Sequence, residues 1–312
     1  MSRRTLALAL GTTVLSACGT SVSLGDQAAD RAQPSASPPA GSYPLPTRAT
    51  TATPEASLTP PHTASEPRPA RHRRPRPRLD DWDVGASPLP LGPDGFGRVL
   101  RTPPELRVRR MPTVDLLPPP ATRRFQADVA PVSAAVRRRL GRAWTPRCPV
   151  GLQDLRYVTV SFWGFDRRPH TGELVLHERV AGEVVGVFRT LYRERFPIEQ
   201  MRLVTAADLK APPTGDGNNT AALVCRRVRG DDEWSSHAYG LAVDVNPFQN
   251  PYRDGDLVLP ELAGAYLDRG WRRPGMIHPH GVVVDAFASI GWAWGGDFES
   301  LSDPMHFSAT GG

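Results

Sequence analysis

Apolar and polar positions follow a regular period mainly in the second half of this 312-residue chain. Residues 156–163 are dense in β-branched and aromatic side chains and stop at Gly164; residues 173–180 resume that character after a Pro-His-Thr-Gly turn, which predicts two strands. Val184, Val187, Phe188 and Leu191 then recur at i, i+3, i+4 and i+7, the stripe of an amphipathic helix that Pro197 stops. Residues 200–204 read as a strand, 218–225 as a strand or extended segment, and 260–269 and 282–290 as helices. In 241–246, Leu241, Val243 and Val245 alternate with Ala242, Asp244 and Asn246, so a short strand there turns Asp244 to the face opposite the valines. Further upstream only residues 132–140 have a helical pattern, with Pro131 near the start and Arg137, Arg138 and Arg139 near the end. Strands and helices in separate runs, with polar residues converging from distant segments, place the chain in the α+β class.

The first third has a different character. Arg3 and Arg4 precede an apolar run over residues 6–15 and small residues before Cys18, the pattern of an export signal over residues 1–17. Leu15, Ser16, Ala17 and Cys18 resemble a bacterial lipobox, which implies lipidation of Cys18 and a membrane anchor; a plain secretory cleavage site is the alternative. Residues 18–95 are Pro, Ala, Ser, Thr and Arg with almost no large apolar content, and read as a disordered tether. Residues 96–146 are intermediate, broken by Pro103, Pro104 and the three prolines at 118–120, and read as a partly ordered approach to a domain at 147–312. The net charge of +6 draws heavily on six arginines between positions 68 and 78. That run lacks interleaved aromatics, so nucleic-acid binding is not expected. No internal repeat of a carbohydrate-binding type is present.

Chemistry concentrates in two late stretches. Ser235, His237, Gly240, Ala242 and Asp244 spell S-x-H-x-x-G-x-A-x-D, and Asp303 with His306 spells D-x-x-H. Two imidazoles and a carboxylate, His237, Asp244 and His306, make a three-ligand set for Zn2+ that leaves one tetrahedral position for water, as a hydrolytic site requires. Asp303, three residues before His306, is placed to accept a proton from that water; hydrogen bonding to a ligand imidazole is its alternative role. His170, His177, His278 and His280 are read as packed or surface histidines. Cys148 and Cys225 form an even pair in an exported chain, for which a disulfide is the expectation, with two thiols or a fourth zinc ligand as alternatives.

The two motifs resemble those of the M15 family of zinc peptidases, whose members are D-alanyl-D-alanine carboxypeptidases, dipeptidases and L-alanyl-D-glutamate endopeptidases. The similarity runs over about half of the chain, residues 148–307, and includes segments 156–166, 170–174, 196–198, 218–220 and 294–297. It implies a compact α+β fold with a single sheet, M15/hedgehog-like, a zinc cofactor, and hydrolysis of peptidoglycan stem peptides of the D-alanyl-D-alanine carboxypeptidase type. L-alanyl-D-glutamate endopeptidase activity and a non-catalytic zinc-bearing wall-binding lipoprotein are the alternatives. It also implies a cation for the substrate carboxylate, for which Arg226 comes first with Arg202 and Arg227 behind it, and a substrate hydrogen bond from Ser235. Trp292 and Trp294 either line the pocket or serve as core aromatics; Trp294 is carried as a substrate-binding candidate. The expected protein is a monomer, exported, anchored through Cys18 and facing the cell wall.

Overall fold

An antiparallel hairpin forms the centre of the fold. Strands β2 (Leu155–Trp163) and β3 (Pro169–His177) pair from Leu155 opposite His177 to Trp163 opposite Pro169, and β1 (Ala127–Pro131) joins the outer edge of β2. The structure, a computed structural model, describes residues 82–93, 95–228 and 231–311; the signal segment, Cys18 and the tether up to residue 81 lie outside the described residues.

Side chains alternate across this sheet and serve two cores. Val158, Val160, Phe162, Leu174 and Leu176 face one of them, and Leu155 and Val175 the other. The first core is covered by helix α2 (Glu178–Arg193), whose stripe of Val180, Val184, Val187, Phe188 and Leu191 is buried as the periodicity predicts. The strand expected over 173–180 ends early because the His177 side chain caps α2, accepting from the Arg179 N–H at 3.2 Å, and Val180 belongs to the helical stripe. The second core takes helix α1 (Ala134–Leu140) through Val136 and Leu140, with Ser133 rather than Pro131 at its N-terminus. The disulfide between Cys148 and Cys225 closes this side, with the Cα atoms 5.7 Å apart.

The remaining strands are short. β4 (Gln200–Met201) pairs in parallel with β5 (Asn219–Thr220); β6 (Ala242–Asp244), β10 (His306–Ser308) and β9 (Ala293–Trp294) form a second three-stranded sheet; β7 (Tyr252–Asp254) and β8 (Leu257–Leu259) form a ribbon. The expected single sheet is therefore divided in four, its pieces meeting at isolated bridges such as Trp163 with Pro197 and Ala221 with Asp244. Proline has no N–H to extend a ladder at 197, and the backbone of Arg202 is engaged by the Asn219 side chain, which accepts from its N–H and donates to its carbonyl, both at 2.9 Å. That clamp is also why the strand expected over 200–204 stops at Met201. In 260–269 only a 3₁₀ turn forms, Ala263–Tyr266, because tertiary bonds such as Leu262 N–H to the Gly215 carbonyl (3.0 Å) take backbone groups a helix would need. Helix α3 (Val282–Ala288) packs Val283 and Phe287 into the first core.

Residues 96–146, expected to be a loose approach, are built into the fold. Besides β1 and α1, this segment supplies Leu106 and Met111 to a third core with Phe248, Leu262, Tyr266 and Met276. It also supplies Arg109, whose side chain is fully buried. The Arg109 guanidinium forks onto Glu199 at 2.7 and 2.5 Å, donates to the Asp216 carbonyl at 2.7 Å and lies 4.5 Å over the Phe248 ring, while Asn218 donates to Glu199 at 2.7 Å. A buried guanidinium without its carboxylate is strongly unfavourable. Glu199→Ala is thus expected to destabilise the protein by roughly 3–5 kcal/mol, whereas Arg109→Met combined with Glu199→Leu recovers most of the loss. Urea unfolding of the two variants checks this; equal midpoints would mean that the ion pair does not hold the segment in place.

Candidate metal centre

The site is assembled by strand register. His306 stands directly opposite Asp244 in the β10–β6 pair, which sets both side chains side by side on one face. Val243 and Val245 turn into the core, and the Asp244 side chain, 23% exposed, turns out of it. His237 arrives on a 3₁₀ turn, Ser236–Tyr239, capped by the Ser235 hydroxyl, which accepts from the His237 N–H at 3.3 Å. Gly240 ends the turn at φ 69°, and a Cβ there would lie 2.7 Å from the His177 nitrogen, so the chain can reverse at this point only as glycine.

Three ligand atoms meet here: His237 Nε2, Asp244 Oδ1 and His306 Nδ1. Their separations are 3.2 Å between His237 and Asp244, 3.1 Å between His306 and Asp244, and 3.2 Å between the two imidazoles. A tetrahedral metal with ligands at about 2.0 Å has face edges of about 3.3 Å, so the triangle has the dimensions of one face. Among the described residues this is the group of His, Cys, Asp or Glu side chains whose ligand atoms converge, and it could hold a metal ion. His237 Nδ1 lies 2.6 Å from the Ala222 carbonyl, an acceptor only, so Nδ1 carries a hydrogen and Nε2 is the atom free to ligate.

The electrostatics agree with this geometry. Burial alone pushes the Asp244 carboxyl up, but charge on His237 and hydrogen bonds from both imidazoles outweigh it and hold the group well below the usual carboxylate range. The carboxylate stays ionised, as a ligand must be.

Asp244 and His306 line a cavity of about 1040 Å³ whose wall also includes Asp303, Ser235 and Arg226, while His237 is buried behind them. The Asp303 carbonyl accepts the His306 N–H at 3.0 Å, and its own N–H donates to Gly295 at 2.9 Å, so the D-x-x-H motif is a tight turn. A Cβ on Gly295 would lie 2.6 Å from the Asp303 carbonyl oxygen, so this approach also depends on glycine. Of the arginine candidates, Arg202 has both arms on Asp208 at 2.8 and 2.6 Å, and Arg227 is stacked 4.1 Å from Trp234. Arg226 is exposed at the cavity, and its guanidinium donates to the Arg227 carbonyl at 3.3 Å.

Trp294, carried as a substrate-binding candidate, is buried. It is a core residue, its ring parallel to Phe307 and its Nε1 donating to the Pro304 carbonyl at 2.9 Å. It supports the turn before His306 and does not line the cavity. Two features escape a sequence reading altogether: the Ala222 carbonyl behind His237, because a backbone atom leaves no mark in sequence, and the wall made by Met111, Pro112, Val114 and Leu116. His170 is packed as expected, between Asp115 (2.8 Å) and Asp166 (3.1 Å).

The disulfide reaches this centre through a short path. Cys225 lies three residues beyond Ala222, its N–H donates to the Ala143 carbonyl at 3.0 Å, and the Val224 N–H donates to the His237 carbonyl at 3.2 Å. Loosening this segment removes support from the ligand imidazole. Replacing both Cys148 and Cys225 by Ser is expected to weaken metal affinity roughly 10–100-fold, the range found when partners behind a metal ligand are lost. Competition with a chromophoric chelator measures it; unchanged affinity in a folded double variant would separate the disulfide from the site.

No curated protein and no solved structure matches the chain. Residues 229–309 match the family model described as D-alanyl-D-alanine carboxypeptidase. The stretch that supplies His237, Asp244 and His306 is therefore similar to M15 peptidase sequence, in line with its two motifs, and the match supports a hydrolase of peptide bonds.

Proposed function

We propose that the protein is a zinc-dependent peptidase of peptidoglycan stem peptides, of the D-alanyl-D-alanine carboxypeptidase type. The observation that carries this reading is the triangle of His237, Asp244 and His306, with edges of 3.1–3.2 Å, two of whose members, Asp244 and His306, line a large cavity. Two nitrogens and one carboxylate oxygen suit zinc, and three protein ligands are the catalytic rather than the structural number. When bound, zinc makes water a nucleophile near neutral pH and polarises the scissile carbonyl.

The chain's own residues supply the rest. Asp303 takes a proton from the attacking water and returns it to the amide nitrogen as that bond breaks, so one carboxylate serves first as base and then as acid. Arg226 offers a guanidinium fork to the carboxylate end of the peptide, a geometry a lysine could not match. The Ser235 hydroxyl oxygen is already accepting the His237 N–H, which leaves its hydrogen for a substrate carbonyl. The apolar wall from Met111 to Leu116 excludes water from one side of the peptide. The size of the cavity, about 1040 Å³, favours more than a terminal dipeptide and keeps L-alanyl-D-glutamate cleavage as the second reading. The mass of the fragment released from purified sacculi distinguishes the two.

The same reading puts the enzyme outside the cytoplasm, tethered through lipidated Cys18, and the Cys148–Cys225 disulfide supports an oxidising compartment. Cys18→Ser is expected to move the protein from the detergent phase to the medium; unaltered partitioning would refute the anchor.

Asp303→Asn preserves shape and is expected to leave metal content near normal while lowering turnover of a stem peptide by roughly 10²–10⁴-fold. Metal analysis beside single-turnover hydrolysis makes the comparison. An undiminished rate would leave Asp303 as a partner of His306 only, and a wild-type protein that holds zinc but cleaves no wall peptide would be a binding module.

A further inference from the structure

Away from the cavity, two segments distant in sequence bring together several arginines that, among the described residues, form no ion pair. Residues 102–109 and 265–273 are locked side by side: the Thr102 hydroxyl accepts the Ala265 N–H at 2.8 Å, the Tyr266 hydroxyl accepts the Arg109 N–H at 2.8 Å, and Leu106 packs on Tyr266 and Met276. On this seam stand Arg107, Arg269, Arg272 and Arg273, with His278 beside them, and none of them lines the metal-bearing cavity. Among the described residues none of the four arginines is in an ion pair. Arg269 spends its donors on neutral acceptors, the carbonyls of Gln249, Tyr266 and Ile277 and the Asn250 side chain. Arg273 is 93% buried and stacked over the Tyr266 ring at 4.4 Å, and among the described residues its Nε and Nη1 have no hydrogen-bond partner. His278 Nε2 is likewise enclosed without one.

Burial pushes the Arg269 guanidinium down to about 10 and lowers that of Arg273, and the His278 imidazole is lowered by burial and by the charges of Arg269 and Arg272. Asp268 is the carboxylate that acts on Arg273, and its Oδ1 already takes the Gly270 N–H at 3.1 Å. The four arginines outnumber Glu105 and Asp268, the carboxylates of the two segments, and the excess of positive charge attracts an anion.

We propose that this seam is a docking surface for a linear anionic polymer of the polyol-phosphate kind, separate from the metal centre. Arginine forks match phosphate oxygens in bidentate fashion, and Trp271, 38% exposed, offers a flat edge beside them for a polyol or sugar unit. A narrow chain of phosphates can follow the seam between Arg107 and Arg272 and lie within the field of the recessed Arg269 and Arg273. A flat lipid surface meets only the exposed pair. Single-stranded nucleic acid needs successive aromatic platforms, and here there is one exposed ring.

The test uses the exported full chain and synthetic poly(glycerol phosphate), with affinity measured by sedimentation or polarisation at two salt concentrations. Wild type should bind, and more weakly at high salt. Arg107→Glu with Arg272→Glu, both exposed positions, should lose roughly tenfold or more, while Arg138→Glu with Arg147→Glu, the same change of net charge elsewhere on the surface, should lose far less. Equal losses from the two pairs would reduce the effect to net charge and overturn the proposal. So would binding of anionic phosphatidylglycerol vesicles or of an oligonucleotide in preference to the polymer, or no binding to any of the three. The 107/272 variant should keep wild-type metal content, which establishes that its loss does not come from misfolding.

Discussion

Three atoms with lone pairs, His237 Nε2, Asp244 Oδ1 and His306 Nδ1, are held within 3.2 Å of one another, and such a set is tolerable only with positive charge among them. A divalent cation would supply that charge. The architecture around the site keeps the three from moving apart. The β6–β10 register fixes two of them as a cross-strand pair, with Val243 and Phe307, both fully buried, as the pair behind them. The third is fixed by a capped turn whose reversal requires Gly240 and whose imidazole is pinned to a backbone carbonyl. Sliding β10 by one residue would put Phe307 opposite Asp244 and turn His306 to the core, so the packing of Phe307 on Phe287 at 4.1 Å is also what keeps His306 at the site.

Much of this was legible in sequence, and the reasons are local. Alternation over 241–246 put Asp244 on the open face because a strand with a buried side has only two orientations. The α2 stripe was clear because Val184, Val187, Phe188 and Leu191 are all buried, so no functional demand disturbs the period. What failed depended on tertiary partners. The 260–269 segment has the composition of a helix, but its backbone bonds to Gly215, and the 200–204 strand gives way to the Asn219 clamp. Trp294 could not be assigned from sequence, since a tryptophan beside a motif serves equally as floor or wall; its N–H bond to Pro304 decides for the floor. The proline-rich composition of 96–146 hid the burial of Arg109, because an arginine is read as solvated until its carboxylate, ninety residues away at Glu199, is seen beside it.

The family match and the site do not have the same boundaries, and the difference is informative. Residues 229–309 contain the ligands and Asp303, but the Ala222 carbonyl, the Cys148–Cys225 bond, the Asn219 clamp and the Arg109–Glu199 pair all lie before residue 229. The matched segment carries the candidate ligands, and preceding residues hold them in position. Asp244 shows the dependence directly. It exchanges backbone bonds with Ala221 on one side, at 3.1 and 2.9 Å, and pairs with His306 on the other, so one ligand strand is gripped between matched and unmatched sequence.

This division also bears on how the cavity is shaped. Its metal-bearing end is made by β6, β10 and the 235–240 turn, but much of the opposite wall is the stretch from Met111 to Leu116, which is tied down by Thr113 to the Glu199 carbonyl at 2.8 Å and by a reciprocal pair between Val114 and Gln200 at 3.1 and 2.9 Å. Those bonds converge on Glu199 and Gln200, next to the buried ion pair. The residue that anchors the wall, Arg109, thus acts on the cavity's width without approaching the ligands. Arg109 also donates its N–H to Tyr266, under whose ring the cationic seam begins. Arg109 thus bonds on one side to Glu199, whose carbonyl holds Thr113 in the cavity wall, and on the other to Tyr266, over whose ring Arg273 lies.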